Sequence, residues 1–148
     1  MKILCLGYYQ QGDPLLVASF YLGLWNKEQQ DDLEKLFFKA SNQEETGQFL
    51  SLGEDKRGNE ILIVGCQGQV PIVSRLLQGL QRIGGTDTET LLIDTTSINN
   101  WMIKTGTKLA QYGWRQLGWQ VVKLGIKSEM SAIEQVATTI KERTNQLE

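Results

Sequence analysis

Short apolar runs that alternate with longer stretches of helical periodicity constrain this chain more than any other feature. Lys2-Ile3-Leu4-Cys5-Leu6-Gly7 is apolar almost without interruption, the pattern of a strand covered on both faces. Glu60 to Val64, Thr90 to Asp94 and Trp119 to Leu124 read the same way. Gln48 to Leu52 pairs naturally with Glu60 to Val64, because Glu54-Asp55-Lys56-Arg57-Gly58-Asn59 between them is rich in turn residues. The spacing predicts an antiparallel hairpin there, its second strand the more buried.

The intervening segments carry the helical period. Asp13-Pro14 predicts a helix start, with Asp as cap and Pro at the first helical position, followed by a helix over Leu15 to Trp25 that is apolar nearly all round. Residues 27–40 predict a short helix, and Ser41 to Gly47 a polar loop. Val70, Val73, Leu76, Leu77, Leu80 and Ile83 recur at helical spacing before Gly84-Gly85. Ile98, Trp101, Met102, Thr105, Leu109 and Tyr112 predict the buried face of another helix, and Met130, Ile133, Val136, Ala137 and Ile140 that of a last one.

Strands alternating with helices of this length imply right-handed crossovers and an α/β fold. The expected architecture is a three-layer α/β/α sandwich, with a mostly parallel sheet plus an antiparallel hairpin strand. No repeat and no linker divides the chain, so residues 1–148 are expected to form one α/β domain.

Composition removes whole classes of function. Of 148 residues 41% are hydrophobic and 22% charged, which does not fit disorder. A net charge of −2 with scattered basic residues gives no reason to expect nucleic acid or an anionic membrane as partner. The longest apolar stretch, Pro14 to Trp25, falls short of the roughly 20 residues that span a bilayer. Met1-Lys2-Ile3-Leu4 runs straight into a strand-like pattern without a cleavage site, so the cytoplasm is the expected compartment. Histidine is absent, which excludes Ser-His-Asp and Cys-His mechanisms and removes the commonest zinc ligand. Cys5 and Cys66 are too few for a disulfide framework and read as small buried thiols. No metal and no cofactor is expected.

In an open parallel sheet, ligands bind beyond the carboxyl ends of the strands. Four loops qualify. Gly7-Tyr8-Tyr9-Gln10-Gln11-Gly12-Asp13 precedes a helix N-terminus, where backbone N–H groups favour an anion. It matches neither the dinucleotide fingerprint nor the P-loop, and Asp13 would repel a phosphate. In Gly65-Cys66-Gln67-Gly68-Gln69-Val70-Pro71 a thiol near a helix start suggests a nucleophile, but a phosphatase-type loop needs Arg where this chain has Ile72. Asp94-Thr95-Thr96-Ser97 could hold Mg²⁺ through water, yet Asp, Thr and Ser are also ordinary caps. Gly125-Ile126-Lys127-Ser128 follows the expected last strand and reads as a capped helix start. The Trp-rich corner Gly113-Trp114-Arg115-Gln116-Leu117-Gly118-Trp119 fits either a contact surface or a plugged helix-to-strand corner.

Three stretches resemble a known family over the whole length. They are Met1-Lys2-Ile3 through Val17-Ala18-Ser19-Phe20-Tyr21-Leu22-Gly23-Leu24, then Leu52-Gly53-Glu54-Asp55-Lys56-Arg57-Gly58-Asn59-Glu60-Ile61, and Leu117-Gly118-Trp119-Gln120-Val121-Val122 with Gly125. The chain resembles the domain of unknown function 3189, small Firmicute proteins, many from spore formers. That family's pattern has a Gly-Gly-x-His-Ser-Ser loop between first strand and first helix, an anion or catalytic site by its look. This chain has Gln10-Gln11-Gly12-Asp13-Pro14-Leu15 there, Thr105-Gly106 in place of a family Gly-Gly, and Gly118-Trp119-Gln120 in place of Gly-Arg-Pro. The resemblance implies that an activity residing in that loop is lost here.

Two functions follow as expectations. The first is a non-catalytic binding or regulatory module with a degenerate strand-end loop, pairing with another protein or with a second copy. The second is a small enzyme or binding protein for a phosphorylated or nucleotide ligand. Its site would join Gly7, Gln11, Gly12 and Asp13 to Asp94, Thr95, Thr96 and Lys104, with Asp13 or Asp94 as the acid–base group.

Overall fold

In the computed structural model, residues 1–9, 12–26, 28, 30–41, 47–84, 89–98 and 100–147 are described. The elements run β1 (Lys2–Gly7), α1 (Asp13–Tyr21), α2 (Asp31–Ser41), β2 (Leu50–Glu54), β3 (Glu60–Gly65), α3 (Val70–Gly84), β4 (Thr90–Asp94), α4 (Trp101–Gln111) and α5 (Arg115–Gln146). The sheet order is β2-β3-β1-β4. β1 lies parallel to both β3 and β4, and β2 closes one edge antiparallel to β3. This is the expected α/β architecture, with helices on both sides of a mixed sheet.

Strand alternation divides the apolar residues between two faces. Ile3, Cys5, Ile61, Ile63 and Ile93 point to one side, where α1, α2, α4 and α5 bury them. Leu4, Leu6, Leu62, Val64 and Leu92 point to the other, where α3 packs on them through Val70, Val73 and Leu77. The first face is a deep core; the second is thinly roofed.

The largest departure from the sequence reading is the last strand. Trp119 to Leu124 lies inside α5, a 32-residue helix, so Gly125 to Ser128 is neither a strand-end loop nor a helix start. The cause is a close helix pair. α4 meets α5 backbone to backbone, and a Cβ built on Gly106 would stand 2.5 Å from the Gly118 carbonyl oxygen. A Cβ on Gly118 would meet the Gly106 oxygen at the same distance, and one on Gly125 would press on Ile103 at 2.7 Å. The apolar run that imitates a strand is thus a helix face that includes Trp119 and Val122, both buried.

The same contact turns α4 over. Ile103, Gly106, Thr107 and Ala110 are buried, whereas Trp101 and Tyr112, expected on the buried face, are about 70% exposed. There is no helix-to-strand corner for a tryptophan to plug. Trp114 precedes α5 and is exposed, while Trp119 packs against Phe37 with ring centroids 5.3 Å apart.

Smaller corrections follow from the local geometry. α1 ends at Tyr21, four residues before the expected Trp25, and Gly23 turns the chain with φ +73°. The cap of α1 is Gly12, not Asp13. β4 is an edge strand with only Ile93 fully buried. The hairpin, α2 and the buried stripe of α5 at Ile133, Ala137 and Ile140 stand as the pattern implies, whereas residues 42–46 of the expected loop and Gly85 lie outside the described residues. No described helix is long and apolar enough to cross a membrane.

One substitution made at two glycines tests this packing. Gly106→Ala should destabilise the protein by about 1–3 kcal/mol, because backbone and Val122 must move aside. Gly79→Ala, on α3 with nothing within 4 Å of the new methyl, should stabilise it by about 0.5–1 kcal/mol. Urea unfolding of the two variants reads both signs.

Candidate functional site

The carboxyl ends of β1, β3 and β4 place the expected residues side by side, with the exception of Gln11, which lies outside the described residues. Gly7 ends β1 at a point where a side chain has no room. A Cβ there would overlap the Pro14 ring and stand 2.9 Å from Thr95 Oγ1. Gly7 therefore lets the start of α1 and the loop after β4 close onto the strand end.

Asp13 enters the helix as its first residue and is buried, 1% exposed. Its carboxylate accepts the Tyr8 N–H at 3.3 and 3.4 Å and so ties Tyr8 to the start of α1. The Gly12 N–H closes the same turn by donating to the Tyr9 carbonyl at 3.0 Å. Burial pushes the Asp13 carboxyl up to about 7, against the opposing pull of the backbone N–H groups of Asp13 and Tyr8. Asp94 adds to the rise and Lys104 reduces it, so both charges act on the same point.

Asp94 ends β4 exposed. Its Oδ1 accepts the Thr96 N–H at 2.9 Å and the Thr96 hydroxyl at 2.6 Å, which closes the short turn Thr96–Ile98. Thr95 is fully buried and ties the neighbouring strand end twice, through N–H and hydroxyl, both donated to the Leu6 carbonyl at 2.9 Å. The helix cap that the sequence reading sought at Asp94 to Ser97 is Asn100, which accepts the Ile103 N–H at 2.9 Å. Lys104, on the first turn of α4, sets its ammonium 3.9 Å from the centre of the Tyr8 ring.

Cys66 completes the cluster from the third strand end. It is 6% exposed, and burial followed by the Asp94 charge pushes its thiol up, away from the thiolate a nucleophile needs. Gln67 beside it takes φ +52°, an uncommon backbone for a side chain of that kind, and donates its N–H to the Tyr8 carbonyl at 2.8 Å. Cys5, deep in the sheet, is pushed up to about 12 by burial. Both cysteines are free and buried.

What the arrangement can do chemically is limited by where its polar atoms already point. Asp13, Thr95 and Asp94 each hold local backbone, and Lys104 rests on an aromatic ring. Burial sets the Asp13 carboxyl near neutrality, but the same burial shields it from solvent. Among the described residues no group of three His, Cys, Asp or Glu could hold a metal ion. Tyr8 is the residue that sequence reasoning passed over: nothing in its spacing signals that Lys104 would lie on it.

A cavity of about 710 Å³ opens at the opposite end of the strands, between the end of α1, the β2–β3 turn and the end of α5. Its walls include Tyr21, Trp25, Asp55 and Lys141. The polar atoms of Tyr21, Trp25 and Asp55 are also spent internally. Tyr21 donates to Asp55 at 2.8 Å, Asp55 accepts from the Asn59 side chain and from the backbone of Arg57 and Asn59, and Trp25 donates to Ser19 at 2.8 Å. Partial burial would raise the Asp55 carboxyl, but those donors outweigh it and hold the group below its usual range.

The Asp13 titration gives a signed prediction. A carboxyl near 7 in the fold and about 4 when unfolded favours the folded state at low pH. That contribution is whole below about pH 4 and is lost as pH rises through about 7. Asp13→Asn keeps an acceptor for the Tyr8 N–H without the charge. It should raise the thermal midpoint most at pH values above 7, with the gain shrinking toward acid. Carbon-13 NMR of the Asp13 carboxyl should show a midpoint near 7, and an ordinary carboxylate midpoint would contradict the burial argument.

No curated protein and no solved structure matches the chain. A family model does, over residues 2–142, spanning every strand, the whole strand-end cluster and most of α5. The chain belongs to the family described as protein of unknown function (DUF3189).

Proposed function

We propose that this protein is a non-catalytic binding module that takes a protein partner on the α3 side of its sheet. The observation that carries the reading is a bare apolar stripe. Ile72, Leu76, Leu80 and Ile83, spaced so that they fall on one side of α3, are 64%, 60%, 55% and 86% exposed. Isolated exposed apolar residues need no explanation, but four large ones in a row on one helix mark a contact surface.

The rest of the molecule supports the same reading. The strand-end cluster lacks histidine, keeps its thiol protonated and spends its carboxylates on backbone. Asp94 stands exposed at the strand end, where its charge disfavours an incoming phosphate. Fold alone argues for no chemistry.

Thermal unfolding against a panel of phosphates, nucleotides and divalent metals tests this directly. No midpoint should move. A ligand at about 100 times its dissociation constant adds about 2.7 kcal/mol, so a clear rise would return the strand-end loops to the role of a ligand site. In the same assay the double variant Leu76→Asp, Leu80→Asp should melt with the parent. A large loss would mean the stripe serves the chain's own fold.

A further inference from the structure

The α3 stripe has a direction, a neighbouring shelf and a rim of charge. One flank of α3 is turned to β4: Ser74 and Gln78 line a cavity of about 240 Å³ with Leu92 and Asp94, and Gln81 donates to the Thr90 carbonyl at 3.1 Å. At about 100° per residue, Ile72, Leu76, Leu80 and Ile83 lie on the other flank, turned away from β4 toward the β3 side of the sheet. The sheet there is thinly covered. Leu62 is half-buried, and Phe49, which directly precedes β2, is 55% exposed. A stripe, an open strip of sheet and an exposed ring beside them offer an apolar bed the length of a helix.

The charges along this bed have one sign. Arg75 and Arg82 are both exposed and stand two turns apart on the solvent side of the stripe. No Asp or Glu occurs between Val70 and Gly84. Neither arginine forms a salt bridge among the described residues. A second copy of the chain packed antiparallel on α3 fits this rim badly. Two α3 helices packed antiparallel about a two-fold axis bring like flank to like flank, and four arginines would crowd one edge of the contact. An acidic rim on the partner neutralises them.

Resting on the reading of α3 as a docking face, we infer that the occupant is an amphipathic helix of another protein. Its apolar face lies on Ile72, Leu76, Leu80 and Ile83, and acidic residues two turns apart on its flank meet Arg75 and Arg82. This is helix-in-groove recognition: apolar anchors supply the affinity, and charge sets the choice of partner.

The probe is a fluorescent synthetic helix of about five turns, with leucines at the spacing of the α3 stripe and glutamates on both flanks. A second peptide carries lysines in place of the glutamates. Binding to the full chain is measured by anisotropy, and the chain's own mass by sedimentation. The glutamate peptide should bind at least about tenfold tighter than the lysine peptide, and less tightly as salt rises. Arg75→Glu with Arg82→Glu should reverse the order. Leu76→Asp, which leaves an exposed position exposed, should abolish binding by both peptides while the circular dichroism stays that of the parent. Equal binding of the two peptides, preference for the lysine peptide, or no binding overturns the inference. A dimer that Leu76→Asp dissociates also overturns it, but leaves α3 a docking face, so the failure of the occupant is told apart from the failure of the face.

Discussion

Two glycines in contact decide how this chain distributes its apolar surface. Where Gly106 of α4 meets Gly118 of α5, backbone touches backbone, and no side chain could be accommodated on either helix. The close approach lets α4 lie flat on α5 and puts Ile103, Ala110, Trp119 and Val122 into one core with the sheet. α5 then continues past α4 to bury Ile133, Ala137 and Ile140 against the same face, near α1. Four of the five helices are spent on one side of four strands. The apolar cluster on the other side draws on α3 alone among the described helices. The exposed stripe on α3 is thus a consequence of how the rest of the chain packs.

The strand-end cluster is also explained by what it holds in place. Gly7 permits the approach of Pro14 and Thr95; Asp13 pins Tyr8; Thr95 pins Leu6; Asp94 closes the turn that leads to α4. A buried carboxyl kept near 7 is often the mark of an acid–base site. Here no second group shares its proton, since the thiol beside Asp94 is pushed up and Lys104 lies on Tyr8. The perturbed group is better accounted for as the cost of locking a loop with a charged side chain in a dry place.

How much could be read from the amino acids depended on how local the signal was. β1, the hairpin, α3 and β4 follow from runs and turn residues within a few positions, and they stand where the pattern puts them. Trp119 to Leu124 did not, because a buried strand and a buried helix face are equally apolar over six residues. What separates them is Gly106, distant in sequence, whose lack of a side chain makes a helix partner possible. The face of α4 was misread for the same reason: its contact residues are Gly106, Thr107 and Ala110, which carry little hydrophobic signal beside Trp101 and Tyr112. The site residues other than Gln11 come together as the loops after β1 and β4 suggest, but the bonds that occupy them are not visible in spacing. The six apolar positions of α3 were legible as a helix face. That only half of that face would find the sheet was not, since one helix cannot present a wide apolar arc to one surface.

The central claim is that Ile72, Leu76, Leu80 and Ile83 stand bare in the free chain. Methyl NMR with a dissolved paramagnetic probe measures this residue by residue. The account predicts strong broadening of those four methyl signals, with Val70 and Leu77 on the same helix protected. Protection of all six at dilute protein concentration would mean that the chain covers the stripe itself, and the docking face would not exist.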